Sequence, residues 1–150
     1  MTNFQRVGAL SNAHVGSSFE ELAEKYFISL NFDVTAKYPF ALGFQTKKVH
    51  KFDFGGRDDK GNDVLIECKS HKWTLGNNVP SAKLTVWNEV MLYFSLAPEN
   101  TRKILFVLKD YSVKRNETLA EYYKRTYGHL IPQYVEILEC DLINNTVKLI

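Results

Sequence analysis

Two charged residues in an apolar stretch are the first candidates for chemistry in this sequence. Glu67 and Lys69 lie two positions apart within residues 63–70. Side chains two apart on a strand point to the same face of a sheet, so the acid and the base would lie side by side while Cys68 faces the other way. Charges in a buried strand are costly unless they are paired or bind a metal. The position of this triplet therefore favours a functional site over the alternative, an ordinary ion pair between Glu67 and Lys69 at the end of a strand.

Asp53 supplies a second carboxylate on the preceding strand. The residues at 58–62 (DDKGN) are dense in turn-forming types and predict a hairpin. With the turn centred on Lys60, the numbers of paired residues sum to about 120, which places Asp53 opposite Glu67. Two carboxylates on adjacent strands can share a hard divalent cation, and a neighbouring ammonium can hold an attacking water or an anionic substrate.

The other elements follow from hydrophobic periodicity and from the residues that break it. In chain order the prediction is a helix from Gly16 to about Asn31, strands at about 34–38, 47–54 and 63–70, a helix from an N-cap at Ser81 to about Leu96, a strand at 104–108, a helix at about 117–127, and strands at about 134–140 and 146–150. Pro39 and Gly43 are expected to separate the first two strands. The run at 104–108 is continuously apolar, so helices should cover both faces of the sheet. The order predicts one α/β (α+β) domain over residues 1–150, with a mixed sheet.

These residues, in this order of elements, resemble the PD-(D/E)XK nuclease superfamily, which has a restriction-endonuclease-like αβββαβ core. The resemblance implies that Asp53, Glu67 and Lys69 are the two acids and the lysine of the motif; Phe52 stands where many members have proline. It also implies that Asp53, Glu67 and the Cys68 carbonyl ligate Mg²⁺, for which Mn²⁺ would substitute. Lys69 would orient the attacking water or stabilise the charge that builds up in the transition state.

Two interpretations are open for a third acid, Glu20. Members of the superfamily often carry a glutamate on the first helix near the metal, and the residues 16–20 (GSSFE) resemble the entry to that helix. At roughly 100° per residue, Glu20 lies about 80° from the centre of the apolar face, whereas Glu21 lies about opposite it. Glu20 is thus a candidate catalytic residue and metal ligand. Ser17 and Glu20 also fit a capping box, in which the glutamate would only satisfy the start of the helix.

The candidates for DNA contact are His71, Lys72 and Lys83, which follow the motif in the sequence. Each can equally be an ordinary solvated side chain, and the same holds for His50. Trp73 and Trp87 could stack on bases, although core packing is expected of at least one of them. The net charge of +2 does not by itself predict a nucleic-acid partner.

The sequence excludes several classes of protein. It has no apolar run long enough for a membrane span and no signal-peptide pattern, so a cytoplasmic protein with no membrane partner is expected. We expect a Mg²⁺-dependent endonuclease acting on DNA, restriction-like or resolvase-like. It would act as a homodimer, since one site cuts one strand, and a further protein subunit could supply target recognition. The alternative is a catalytically silent nuclease-fold module that binds nucleic acid or a partner protein.

Overall fold

The computed structural model describes the backbone of residues 12–150 and the side chains of residues 18–150. The helices are α1 (Asn12–Ser29), α2 (Ser81–Leu96) and α3 (Leu119–Tyr127), the last followed by a 3₁₀ turn at Gly128–Leu130. The strands are β1 (Asp33–Leu42), β2 (Lys48–Arg57), β3 (Asp63–Lys69), β4 (Arg102–Leu108), β5 (Tyr111–Ser112), β6 (Glu117–Thr118), β7 (Val135–Asp141) and β8 (Thr146–Leu149). Within this part of the chain, no helix is long and apolar enough to cross a membrane.

Six of the strands form one sheet in the order β1-β2-β3-β4-β7-β8. β2 is antiparallel to both β1 and β3, the strands β3, β4 and β7 run parallel, and β8 returns antiparallel to β7. Parallel neighbours need a crossover connection, and α2 and α3 lie in the two crossovers of this sheet. The fold is therefore a mixed α+β arrangement, and the prediction of a mixed sheet is confirmed.

Helices cover both faces of the sheet, as the apolar run in β4 predicts. Leu105 and Val107 pack with residues of α2 and α3, in a cluster called here the α2 core. Ile104 and Phe106 point the other way and pack with residues of α1, in the α1 core. All four side chains are fully buried, and each such burial stabilises the fold by roughly 1.5–3 kcal/mol.

The hairpin between β2 and β3 has the register that the turn residues predict. Phe54 pairs with Ile66, and Arg57 pairs with Asp63. Both pairs sum to 120, so the prediction is confirmed for the part of the hairpin that is paired. Asp58 holds the turn by accepting the amide hydrogens of Lys60 and Asn62.

Several predicted boundaries are wrong for local reasons. Pro39 does not interrupt β1 but lies inside it, which is tolerated because β1 is an edge strand. Ser81 is the first residue of α2 and not its cap; the cap position is Pro80, which has no side-chain bond to offer. Before Pro98, Ala97 is extended and ends the helix as expected.

The third helix begins two residues later than predicted. Glu117 and Thr118 pair with Tyr111 and Ser112 in a short hairpin that periodicity does not reveal. Thr118 then caps α3 by accepting the amide hydrogen of Glu121, whose carboxylate accepts the amide hydrogen of Thr118 in return. The helix thus starts where a complete capping box satisfies its first amides.

Candidate active site

In β1 and β2, the regular alternation of side chains between the two faces of the sheet is interrupted at the level of Asp53. Phe54 packs in the α1 core, whereas Phe52, two residues earlier, packs in the α2 core. Residues two apart in a regular strand share a face, so the alternation is reset between them. The register places Lys37 of β1 across from Asp53, and Lys37 has a left-handed backbone with φ of 54°. Asp53 therefore belongs to neither face of the sheet.

The reset turns the side chain of Asp53 toward β3. Backbone pairing between β2 and β3 ends at Phe54 and Ile66. Beyond that point Oδ2 of Asp53 accepts the amide hydrogen of Cys68 at 2.7 Å. The carboxylate thus takes the place of a backbone acceptor at the point where the two strands part.

Glu67 is held on β3 beside this gap. Its side chain lies on the α2 side of the sheet and is only 4% exposed. Nε2 of His50 and Oε1 of Glu67 form a hydrogen bond of 2.8 Å. The imidazole of His50 in turn stacks on Tyr93 of α2, with ring centroids 4.1 Å apart, and meets the ring of Phe52 edge-on. This packing fixes the imidazole, and through it one oxygen of Glu67.

The pKa values of Glu67 and Glu20 are both raised in this site. Burial raises the pKa of Glu67 to about 9, and the nearby Asp53 adds to the effect. Burial and Asp53 also raise the pKa of Glu20 to about 7. Lys69 lowers both values without offsetting the other effects, and Lys37 also lowers that of Glu20. Without a bound cation, Glu67 therefore keeps its proton at neutral pH, and burial is the main cause.

Glu20 reaches this site from α1. The helix begins at Asn12, so Ser17 lies inside it and the capping-box reading of Glu20 is wrong. Glu20 is partly buried and lies close enough to Asp53 for that carboxyl to raise its pKa, whereas Glu21 is exposed, as the helical geometry predicts. The acids that the sequence singles out therefore come together from α1, β2 and β3.

The donor set has the chemistry of a magnesium site but not its finished geometry. Carboxylate oxygens are the ligands that Mg²⁺ prefers, and a cation that bound here would displace the protons that the raised pKa values retain. However, among residues 18–150 no group of three or more His, Cys, Asp or Glu side chains is gathered closely enough to hold a metal ion. Asp53 lies near enough to Glu20 and Glu67 to raise their pKa values, yet these carboxyl groups do not converge on one point. Rotation of the side chains would be needed to close a cage.

His71 is positioned as a neutral donor. Its Nδ1 accepts the indole hydrogen of Trp87 at 2.8 Å. Because an indole can only donate, Nδ1 is unprotonated and the proton of the neutral ring is on Nε2. Burial lowers the pKa of His71 to about 4, with Lys69 and Lys83 adding to the effect. His71 can thus offer one neutral N–H to a phosphate but no positive charge.

The remaining candidates divide into surface and core residues. Lys72 and Lys83 are exposed, and Lys83 lies near enough to His71 to influence its pKa. Trp73 and Trp87 are 8% and 0% exposed, so the core packing expected of at least one of them is confirmed, and neither ring is free to stack on bases. Cys68 is a buried free thiol in the α1 core, on the opposite face from Glu67, as predicted.

Sequence reasoning missed the role of His50 and Tyr93. Strand alternation alone puts His50 and Asp53 on opposite faces, so the histidine gives no sign of a link to the motif. The contact between His50 and Glu67 arises because side-chain alternation in β2 is interrupted at Asp53. No residue type in β2 indicates that interruption. The one hint in the sequence is that His50, a polar residue, lies two positions before the apolar Phe52 on the same predicted strand.

Comparison with known proteins yields no family for this chain. No protein-family model matches it, and no curated protein is significantly similar. A solved structure described as the crystal structure of SSO0001 aligns with a TM-score of 0.38 and 12% sequence identity. The alignment covers 98% of this chain, which spans 57% of that one. A likeness this distant carries no argument about fold or function.

Proposed function

We propose that this protein is a metal-dependent endonuclease that hydrolyses phosphodiester bonds of DNA. The observation that carries the proposal is the meeting of Glu20, Asp53, Glu67 and Lys69 where β2 parts from β3. The chain order αβββαβ and the mixed sheet support a restriction-endonuclease-like core as part of the same proposal. Glu67 is buried among other acids, at a cost in stability that a purely structural strand would have no reason to retain.

In this proposal the acids hold a metal ion and the lysine meets the phosphate. Asp53 and Glu67 are the main ligands, with Glu20 and the Cys68 carbonyl as additional oxygen donors. When bound, Mg²⁺ or Mn²⁺ would polarise the phosphate and lower the pKa of a coordinated water. The ammonium of Lys69 stabilises the negative charge that builds up on the phosphate oxygens.

The other side chains of the site prepare these groups. His50, fixed by its stack on Tyr93, holds Oε1 of Glu67 and leaves Oε2 for the cation. The amide of Cys68 holds one oxygen of Asp53 in the same way. His71, Lys72 and Lys83 lie after the motif and are proposed to contact the phosphate backbone.

Nicking of a supercoiled plasmid tests the proposal. We expect the wild type to nick in Mg²⁺ or Mn²⁺ and not in chelator. Asp53→Ala and Lys69→Ala should lose at least about 100-fold in rate, the scale on which a single stabilising group of a transition state acts. Asp59→Ala and Lys60→Ala change exposed residues of the β2–β3 turn and serve as matched controls. Thermal unfolding of each variant shows whether the fold survives.

One specific observation favours a second candidate, a nuclease-fold module that binds nucleic acid without cutting it. No finished metal cage exists among the described side chains. For such a binder, no DNA would be cut under any metal, and Asp53→Ala would keep or improve the affinity for DNA, because it removes a negative charge. For the enzyme, the same change abolishes cutting.

A panel of substrates separates the two kinds of nuclease. A homodimer is proposed in either case, because one site cuts one strand. Cleavage of linear duplexes at particular sequences would indicate a restriction-like enzyme, and preference for four-way junctions a resolvase-like one. If cleavage of specific sites requires another polypeptide, that polypeptide supplies target recognition.

A further inference from the structure

The ends of β1 and β2 form a two-stranded arm beyond the rest of the sheet. Pairing of β2 with β3 stops at Phe54, while pairing of β1 with β2 continues as far as Leu42 and Lys48. Residues 38–52 therefore pair only with one another in the described sheet. These residues are called here the arm, and the candidate active site lies at its base.

The arm carries positive charge without any acid. Lys47, Lys48 and Lys51 belong to it, and Lys37 stands at its base. No Asp or Glu occurs in residues 34–52, so this segment has a charge of +4 and the remainder of the chain has −2. All four lysines are exposed, and none forms an ion pair with another residue of the described part. The charge is therefore available to an anionic partner.

The arm is also fixed in place. Leu42 and Phe52 are buried in the α2 core, and the ring of Phe52 lies parallel to that of Phe94 in α2, with centroids 6.0 Å apart. His50 stacks on Tyr93 and bonds to Glu67 of the candidate site. Lys48 and Lys51 thus stand, on opposite faces, on a strand that is tied directly to the acids, and Lys47 immediately precedes it. Such preorganisation lowers the entropy lost on binding.

The reach of the arm suits a double helix. Lys48 lies five residues from Asp53, about 17 Å along a strand that rises about 3.3–3.4 Å per residue. B-DNA rises about 3.4 Å per base pair, so this span covers about five base pairs. An anionic polymer that reached the acids at one end would run along the lysines toward the other.

We propose that duplex DNA lies along this arm, whose lysines contact the phosphates to one side of the bond to be cut. This rests on the proposed function and names the surface that the substrate occupies. Duplex DNA is favoured over an anionic membrane or an acidic protein, because the arm leads to a cluster of acids and a lysine suited to a phosphodiester.

The test is binding of a labelled DNA duplex in chelator, measured by fluorescence anisotropy at several salt concentrations. In one triple variant Lys47, Lys48 and Lys51 are replaced by glutamine. A matched triple variant carries Lys25→Gln, Lys60→Gln and Lys148→Gln, which remove the same charge from exposed positions elsewhere. We expect the arm variant to lose at least 10-fold in affinity. Its salt slope should fall by about 2–3, because each phosphate that a lysine no longer neutralises lowers the slope by about 0.9. The matched variant should lose less than about 2-fold.

The outcomes separate the arm from the proposed function. Wild-type binding that is lost only in the arm variant supports the arm, and if the wild type also fails to nick plasmid in Mg²⁺ or Mn²⁺, the nuclease is refuted while the arm stands. Cutting by a wild type whose arm variant binds as well as the matched variant refutes the arm and leaves the nuclease standing. Equal losses in both triple variants overturn the arm. Tighter binding to phosphatidylserine vesicles, or to an RNA duplex of the same length, overturns duplex DNA as the occupant.

Discussion

At the scale of single residues, the candidate site contains a group whose burial lowers the stability of the fold. Glu67 is buried beside Asp53, and its raised pKa measures the cost of ionising it there. Register arithmetic alone predicts that these two acids are neighbours, because the turn residues define the hairpin. The same arithmetic cannot find His50, whose contact with Glu67 depends on the reset of β2 at Asp53.

The raised pKa of Glu67 predicts how stability depends on pH without metal. The pKa is near 4.5 in the unfolded chain and about 9 in the folded one. Between these values the folded state binds more protons than the unfolded state, so stability falls as the pH rises, by at most about 1.4 kcal/mol per pH unit for one group. Glu67→Gln removes this loss. In urea unfolding with chelator, we expect the variant to have a flatter profile from pH 7 to 8.5 and to be the more stable protein at pH 8.5.

The choice of pH window isolates the acids. The lowered pKa of His71 has the opposite sign, because there the unfolded state binds more protons, but it acts only between about 4 and 6.5. Glu20, with a pKa raised to about 7, contributes to the fall in both proteins. Glu21→Gln, on an exposed position of the same helix, should leave the profile unchanged. If the free energy of unfolding changed with pH by the same amount in the wild type and in Glu67→Gln, the raised pKa of Glu67 would be refuted as the cause.

At the scale of elements, the sequence predicts best where local signals and tertiary packing agree. The positions of the six sheet strands along the chain and the extent of α2 follow from apolar runs bounded by turn residues and Pro98. The errors occur where context overrides the local signal. Pro39 is accepted at a sheet edge, and the pairing of Tyr111 with Thr118 delays α3. The interruption of side-chain alternation at Lys37 cannot be predicted from hydrophobic periodicity, because it depends on a left-handed backbone at one lysine.

The reset also explains a requirement for glycine in β2. A Cβ added to Gly55 would lie 2.3 Å from Cδ1 of Tyr38, whose ring crosses the strand just after Asp53. We expect Gly55→Ala to destabilise the protein by about 1–3 kcal/mol, as overpacking does. This is a fall in Tm of about 2–4 °C for each kcal/mol, measurable by calorimetry. Gly128→Ala is the control, since its Cβ meets nothing within 4 Å and its backbone is helical.

A double-mutant cycle identifies the cause of that loss. If the ring of Tyr38 is responsible, Gly55→Ala should cost much less in a Tyr38→Ala background, with a coupling of about 1 kcal/mol or more. An equal cost in both backgrounds would mean that the strand needs glycine for a reason other than this contact.

At the scale of the whole molecule, the candidate site joins elements from both sides of the sheet. Glu20 comes from α1, which packs on one face, whereas Glu67 lies on the face covered by α2. Asp53 lies between them, at the edge where β2 parts from β3. A cation held by these acids would cross-link α1, β2 and β3. Because unfolding must separate these elements, global stability should depend on the metal.

This linkage gives a prediction that does not require a substrate. At free Mg²⁺ ten times its Kd, binding to the folded state alone stabilises by about 1.4 kcal/mol. For a domain of this size the Tm should rise by about 3–6 °C over chelator at matched ionic strength. Asp53→Asn should abolish the rise, because it removes a ligand between α1 and β3, whereas Asp59→Asn in the exposed turn should keep it. A wild-type Tm that stays constant up to millimolar Mg²⁺, or a rise that Asp53→Asn retains, would show that these acids bind no metal and would leave the silent DNA-binding module as the better account of the fold.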